Sequence, residues 1–529
     1  MQTLIRPLTE ERWRDTAPHT MNDPNIKAGR RQWIGVFVLA LPCMLLAMDL
    51  TVLHLAVPAL SVALKPTSTQ LLWIVDIYGF LIAGSLITMG TLGDRIGRRK
   101  LLLWGAAAFG AASALAAFSS TPAMLIATRA LLGVAGATLM PSTLGLIRNM
   151  FHDPSQRTVA ITIWMNSFML GSGLGPLLGG IMLEKFWWGS VFLLNVPIMA
   201  LLLVLGPFLL PETRDPNAGK LDIASAALSL VAMLAIVYGI KRTTQDGLDT
   251  IAVVSLIAGI LLGIVFIRRQ GFLDHPLIDL RLFRVPAFST SICTQLVALT
   301  AVAGIFFFTA QYLQLVVGLS PLQAGLWSLP WTLSGMTASM LTPALARRFP
   351  AAYVMGAALF LASSGMFLLL GIAYGGGFSL LIVSFVIIPA GINPTMTMTT
   401  DLIMGVAPPD RAGAASAISE TSCELGLSLG MAILGSIGMA SYRRLMSPDT
   451  LTGIPAAATT ASRATLGGAR EAARNLGGNA GAQLAAAAHD AFSHSLALVA
   501  TLSGLLVVTM AVVAIVVLRN VPSRGSVPI

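Results

Sequence analysis

An all-α integral membrane protein with fourteen transmembrane helices is the fold class this sequence predicts, on three observations. Only 11% of its 529 residues are charged against 55% hydrophobic, and mean hydropathy is +0.80. A soluble domain carries about 25% charged residues, so water would not keep such a surface dispersed. Apolar runs of the roughly 20 residues that a helix needs to cross a bilayer recur along the whole chain. Finally, Lys and Arg are divided unequally between alternate connections, as a fixed membrane topology requires.

In chain order the expected spans are approximately 34–55, 71–92, 101–119, 122–147, 158–182, 190–210, 222–241, 250–267, 288–317, 322–345, 352–373, 377–403, 412–440 and 493–518. The first follows some thirty polar residues and is long enough to span, which does not suit a cleavable leader; Met21 is an alternative start. The seventh and eighth are plain, with few polar groups, while the first six and last six are richer in Gly, Pro and buried charge. Gly (50) and Met (24) are abundant, and small residues let membrane helices approach closely. Cys43, Cys293 and Cys423 all lie in apolar stretches, so no disulfide framework is implied. The expected organisation is a tail (1–33), a six-helix bundle (34–210), two inserted helices with their linker (211–287), five helices (288–440), a long loop (441–492), a last helix (493–518) and a tail (519–529).

Of the 33 Lys and Arg, 23 fall on the side of the N-terminus, 9 on the other side, and Arg129 lies within a helix. In this count Lys241 and Arg242 belong to a connection. The bias predicts that both termini are cytoplasmic. It also assigns the net charge of +10 to topology rather than to nucleic-acid binding. Loop 441–492 holds five of the nine basic residues on its side and is rich in Ala and Gly, with Arg463, Arg470, Glu471 and Arg474. It reads either as short amphipathic helices or as a mobile linker. The loop after the second helix, Gly90-Thr-Leu-Gly-Asp94-Arg95-Ile-Gly97-Arg98-Arg-Lys100, has a weaker basic echo after the tenth in Thr342-Pro-Ala-Leu-Ala-Arg-Arg-Phe349. The echo suits a transporter built of two repeats with its site between them.

Several of these stretches resemble the motifs of the major facilitator superfamily. Gly90 to Lys100 is similar to its loop motif, and Arg129 with Gly133 to the motif of helix four, with Leu132 where many members have Gln. Gly171-Ser-Gly-Leu-Gly175-Pro176-Leu-Leu-Gly179-Gly180 resembles the antiporter motif of helix five. Met48-Asp49-Leu-Thr-Val-Leu-His54-Leu-Ala-Val-Pro58 resembles the first-helix motif of fourteen-helix drug:proton antiporters, with His54 where Asn is usual. Trp73-Ile-Val-Asp76-Ile-Tyr78 and Glu420-Thr-Ser-Cys-Glu424-Leu-Gly look like quaternary-ammonium exporters of that group. The resemblance runs over essentially the whole chain and implies two six-helix halves with two inserted central helices. Helix ten lacks the acid that some cation exporters of the group carry, which counts against divalent-cation recognition.

Carboxylates inside a bilayer cost roughly 2.5–3.5 kcal/mol at a helix centre, so each needs a reason. Asp49 and Asp76, on adjacent antiparallel helices, could come together and exchange protons while a cation competes for their charge. Glu420 and Glu424 are four residues apart and project from one face of helix thirteen, where they could supply the counter-charge for a quaternary ammonium. The sequence does not separate the two. Asp401 reads as interfacial. Arg129 needs a partner, and the resemblance suggests Asp49, giving a proton-coupling set of Asp49, Asp76 and Arg129. Trp73, Tyr78, Trp164, Phe168, Tyr312, Trp327 and Trp331 are candidates to meet a cation through their ring faces, or alternatively to anchor helices at the interface.

The resemblance also implies a gate. Asp94, with Arg95, Gly97 and Arg98, would latch it, and the stripe Gly171, Gly175, Pro176 and Gly179 would pack helix five tightly enough to prevent leakage. These readings converge on a proton-coupled exporter of lipophilic cations in a bacterial inner membrane. It would be a monomer that is not an enzyme, with no cofactor, no metal site and no nucleic-acid partner. The rival reading keeps the fold and exports a metabolite, siderophore or antibiotic; an anionic substrate would need cationic side chains, and Arg129 is the one expected inside the helical cores.

Overall fold

The computed structural model describes residues 28–151, 153–214, 222–246, 249–273, 276, 278, 280–375, 377–406, 412–447 and 454–519. The expected tails, apart from residues 28–33 and 519, and the alternative start at Met21 lie outside them. All regular structure among the described residues is helical. The long elements are α1 (Arg30–Leu64), α2 (Ser68–Ile96), α3 (Arg98–Ala117), α4 (Pro122–Met150) and α5 (Pro154–Lys185), then α6 (Ser190–Leu193) running into α7 (Asn195–Leu209). Next come α8 (Ile223–Asp246), α9 (Thr250–Gln270), and α10 (Pro286–Gln311), which ends in a π turn over Tyr312–Val316. The remainder are α11 (Pro321–Trp327), α12 (Leu329–Arg348), α13 (Ala351–Leu368), α14 (Gly377–Val406), α15 (Ala412–Gly430), α16 (Ser436–Leu445), α17 (Ala456–Ala464), α18 (Leu466–Leu476) and α19 (Gly478–Leu518).

Twelve helices among the described residues are long and apolar enough to cross a membrane. Two of the expected fourteen, α5 and the α11–α12 pair, do not meet that measure. Composition is the reason: both carry Gly, Ser, Thr and Pro at close intervals, which lowers hydropathy.

The helices pack in two groups. In the first, α1 lies against α5, α4 and α7, α2 against α4, and α3 against α4 and α7. In the second, α10 packs on α14, α15 and α19, while α13 and α14 bring in α12. Ridges of apolar side chains face lipid all round, for instance Leu131, Val204, Phe208, Ile257, Ile260 and Leu505. Exposed apolar surface of this extent is stable in lipid, where helices satisfy their own backbone groups.

Near the face that carries the α1–α2 turn, here the distal face, the two groups touch. Gln314 Nε2 donates to the Leu55 carbonyl at 3.0 Å. A Cβ on Gly180 would stand 2.7 Å from Leu322 Cα, and one on Gly325 would overlap the Pro176 carbonyl, so α5 and α11 meet backbone to backbone. The distal face is thus shut.

Of the two readings of 441–492, short helices are the one present among its described residues. The helix preceding it reaches Leu445, the one following starts at Gly478 rather than 493, and α17 and α18 lie between. They form a cap that ties the two groups. Ser68 Oγ donates to the Ala464 carbonyl at 2.5 Å, and Arg470 Nη1 to the Gln314 carbonyl at 2.8 Å. Tyr442 Oη donates to the Ser462 carbonyl at 3.0 Å. Leu466, Ala469 and Ala473 of α18 are buried on the inner side of the cap, the apolar face that an amphipathic helix must cover.

The inserted helices also differ from the plain pair expected. α9 is largely exposed to lipid, but α8 packs on α2, on α16 and on the π turn Met431–Gly435 that joins α15 to α16. Phe80, Val237 and Ala432 form a buried cluster there, so α8 fills the seam between the two groups.

The glycine stripe of α5 seats that helix on α1. A Cβ on Gly171 would overlap the Met44 carbonyl, one on Gly175 the Thr51 hydroxyl, and one on Gly179 would stand 2.8 Å from Val52 Cγ1. Because the obstacle at Gly171 is backbone, Gly171→Val should force α5 away from α1 and cost about 1–3 kcal/mol. A lower unfolding midpoint and lost transport, set against a lipid-facing Leu174→Val control, would show it.

Candidate functional site

Between the two groups lies a cavity of about 260 Å³, just below the roughly 300–1,000 Å³ typical of ligand pockets. From the first group α1 contributes Thr51 and His54, α2 Val75 and Asp76, α4 Arg129, and α5 Phe168, Ser172 and Pro176. From the second come Phe306 of α10, Trp331 of α12, Asn393 of α14 and Glu424 of α15. Aromatic rings make much of the wall: Phe306 packs edge-on against His54 (5.4 Å) and Trp331 (5.5 Å). His54 Nδ1 and Glu424 Oε2 are buried and have no hydrogen-bond partner.

Three ionic features surround this space. Arg129, with its side chain 1% exposed, places Nη1 2.5 Å from Asp49 Oδ2. Its Nε donates to the Ile74 carbonyl at 3.2 Å and its Nη2 to that of Val75 at 3.4 Å. The guanidinium carbon lies 4.4 Å from the Tyr78 ring centroid. On the other oxygen Asp49 accepts from Asn195 Nδ2 at 3.4 Å, and Asn195 also donates to Ser113 Oγ at 3.2 Å. One buried network therefore clamps α1, α2, α3, α4 and α7.

The second feature is an ion pair that the sequence reading missed. Lys241 Nζ stands 2.8 Å from both oxygens of Asp76, and each side chain is 1% exposed. The ammonium lies 3.9 Å from the Trp73 ring centroid. The expectation that Arg129 is the one cation inside the helical cores is thus corrected. The cause is helix length: α8 runs on to Asp246, one turn past the expected end, which carries Lys241 inside the bundle. The polar boundary falls at Arg242, which binds Asp249 at 2.7 Å. That carboxylate caps α9, and the Ala252 amide and Arg242 hold its pKa below the usual range.

The third feature is Glu424. It is buried on the cavity wall, and no Lys or Arg among the described residues pairs with it. Glu420 is half-buried and off the wall, so the two glutamates expected on one face have different surroundings. Asp49 and Asp76 are not joined to each other; each has its own cation.

Of the expected aromatics, Phe168 and Trp331 line the cavity. Tyr78 is buried behind it on Arg129, Trp73 on Lys241, and Tyr312 lies in the π turn. Trp164 donates to Thr143 Oγ1, and Trp327 packs on Phe378 at the half-exposed rim. His54, Phe306 and Asn393 are wall residues that had not been singled out as cavity lining. Asp401 is exposed near the end of α14, as an interfacial residue would be.

At the opposite face, Arg98 Nη2 meets Asp94 Oδ1 at 2.5 Å while its Nη1 donates to the Pro141 carbonyl at 2.8 Å. Gly97 between α2 and α3 takes φ +113°, where a side chain would be strained. Arg95 is exposed. The contacts of Arg98 and Arg99 tie α2, α3, α4 and the segment at Glu212 within the first group.

Residues 39–431 match the Major Facilitator Superfamily. The chain belongs to that superfamily. Membership makes it a multi-pass membrane transporter and not an enzyme. The chain is 43% identical to the multidrug efflux pump LfrA of Mycolicibacterium smegmatis over 93% of its length and 97% of the relative's. It is 36% identical to the methyl viologen resistance protein SmvA of Salmonella typhimurium, over 88% and 95% respectively. In three dimensions it is similar to a bacterial homologue of the human lysosomal transporter Spinster in an inward-facing, unoccupied conformation, with a TM-score of 0.67 and 16% identity over 93% and 98% of the two chains. The superfamily resemblance read from the motifs therefore holds; of these relatives one is named a multidrug efflux pump and one a methyl viologen resistance protein.

Proposed function

We propose that this transporter exports lipophilic cations such as quaternary ammonium compounds, dyes and biocides, in exchange for protons. Glu424 carries the reading: a buried carboxylate without a fixed counter-ion on a wall of Phe168, Phe306 and Trp331. A carboxylate in low-dielectric surroundings is compensated by whichever cation reaches it, proton or drug. Occupancy by one excludes the other, which is the elementary condition for antiport. Aromatic faces within about 6 Å add up to ~2 kcal/mol for a desolvated ammonium.

The names of the relatives support export of foreign compounds. We read the chain as a monomer in a bacterial inner membrane; the distribution of Lys and Arg supports cytoplasmic termini. On this reading α5 and α11–α12 also span, giving fourteen crossings: α5 has 32 residues, about 48 Å of helix, and lies along α1. The distal face is then the extracytoplasmic one, and the Asp94–Arg98 pair with Gly97 belongs to the cytoplasmic gate. Asp49 and Arg129 tune the proton pathway.

Reconstitution in liposomes with an interior-acid pH gradient tests the assignment. Uptake of a fluorescent lipophilic cation that depends on the gradient and collapses with a protonophore is expected. No movement of cation under any gradient, with folded protein present, sinks the reading; uptake of an anionic or neutral metabolite instead would favour that substrate class.

A further inference from the structure

Lys241 is supplied by an inserted helix, lies outside every motif that suggested function, and is bonded to an acid of the cavity wall. Helix α8 has a reason to be at the seam, since Val237 packs with Phe80 and Ala432. Packing alone does not need an ammonium there. Burying one costs several kcal/mol unless it is paired, and here it is: Lys241 Nζ donates to Asp76 Oδ1 at 2.8 Å and stands 2.8 Å from Oδ2, with the Trp73 ring behind. The cavity reaches Asp76 but not Lys241, so the ammonium acts on the cavity from behind the carboxylate.

The charges around the space can then be counted by element. On α1 Asp49 is matched by Arg129 of α4, and on α2 Asp76 is matched by Lys241 of α8. His54 of α1 faces the same space, with Nδ1 buried and without a hydrogen-bond partner. Glu424 of α15 is the wall carboxylate with no cation paired to it among the described residues. With Glu424 ionised, the wall therefore offers one uncompensated negative charge.

We propose that Lys241 is a specificity-determining residue which cancels Asp76 and so limits how well the cavity accepts a second positive charge on its substrate. This rests on the cation-export reading above and names what that site discriminates. A singly charged amphiphile needs one carboxylate. A substrate with two quaternary centres needs two, and Asp76 is withheld from it by the protein's own ammonium. The inserted helices, absent from a plain pair of six-helix halves, thereby enter substrate selection.

Binding of decyltrimethylammonium and of its two-headed analogue decamethonium, measured on detergent-purified protein at alkaline pH, tests this. In Lys241→Met the affinity for decamethonium relative to decyltrimethylammonium should rise at least about tenfold, since an unscreened carboxylate within several ångströms of the second head is worth that much. Lys241→Arg keeps the charge and should leave the ratio near wild type. Asp76→Asn/Lys241→Met removes both charges and should return the ratio to wild type, while its monodisperse elution shows that the fold survives loss of the pair. An unchanged ratio in folded Lys241→Met, with decyltrimethylammonium still bound, overturns this inference alone. A raised ratio that persists in the double variant overturns it too, because the gain would not come from Asp76. If folded wild type binds neither ion, the cation reading falls and takes this inference with it.

Discussion

Liposomes carrying Glu424→Gln will accumulate no lipophilic cation under a pH gradient, and the affinity of the purified variant for that cation will fall about 10- to 100-fold. Gln keeps the size and shape of the side chain while removing its charge and its ability to take up a proton. In the native wall Oε2 has no hydrogen-bond partner, and Phe168, Phe306 and Trp331 provide no hydrogen-bond acceptor for a cation beyond their ring faces. Removing the charge therefore removes both the proton-binding group and the strongest attraction for the drug, and exchange fails on both sides of the cycle. Glu420→Gln is the informative companion, because Glu420 is off the cavity wall and half-buried. Its affinity should change by less than about threefold. Equal losses in the two variants, or normal uptake by Glu424→Gln, would remove Glu424 from the mechanism.

How far the sequence foretells this architecture depends on what kind of signal each feature leaves. Helices such as α4 and α9 announce themselves through long apolar runs, since lipid tolerates nothing else on a helix surface. The glycines of α5 were legible as well, because a stripe of small residues has few uses other than close approach to a neighbour. Buried acids stood out for the same reason: Asp49, Asp76 and Glu424 are costly in lipid. Their partners did not stand out. Lys241 is separated from Asp76 by 165 positions in the chain, and a basic residue at the end of an apolar run looks like a topology marker. Which glutamate of the pair 420 and 424 faces the cavity depends on the rotation of α15 against α2 and α10, and spacing within one helix does not encode it. Nor did composition distinguish a mobile loop from the α17–α18 cap. That cap is held by carbonyl contacts to Ala464, Ser462 and Gln314, and main-chain acceptors leave no mark in a sequence.

Arg129→Leu and Asp49→Asn should each be strongly destabilised, by about 3–5 kcal/mol, because each leaves a buried partner uncompensated. The guanidinium is committed at three points: Asp49, and the carbonyls of Ile74 and Val75, which the α2 helix itself already uses. With Leu at 129, Asp49 retains only the long bond from Asn195. With Asn at 49, the guanidinium faces a neutral amide. Arg129→Lys is not a conservative change, since a point charge on a flexible stem does not reproduce the planar fork that spans α1 and α2. The unfolding midpoint in detergent, at fixed scan rate, reads the effect. The double variant Asp49→Asn/Arg129→Leu decides between a structural clamp and a transport role. Removing both charges should recover much of the stability that either single change loses, giving a coupling energy of several kcal/mol. Transport should stay abolished in it, because a neutral pair holds the helices without carrying or steering a proton. Restored transport in that double variant would make the pair a clamp alone, and single variants as stable as wild type would mean that the buried pair does not hold the first group of helices together.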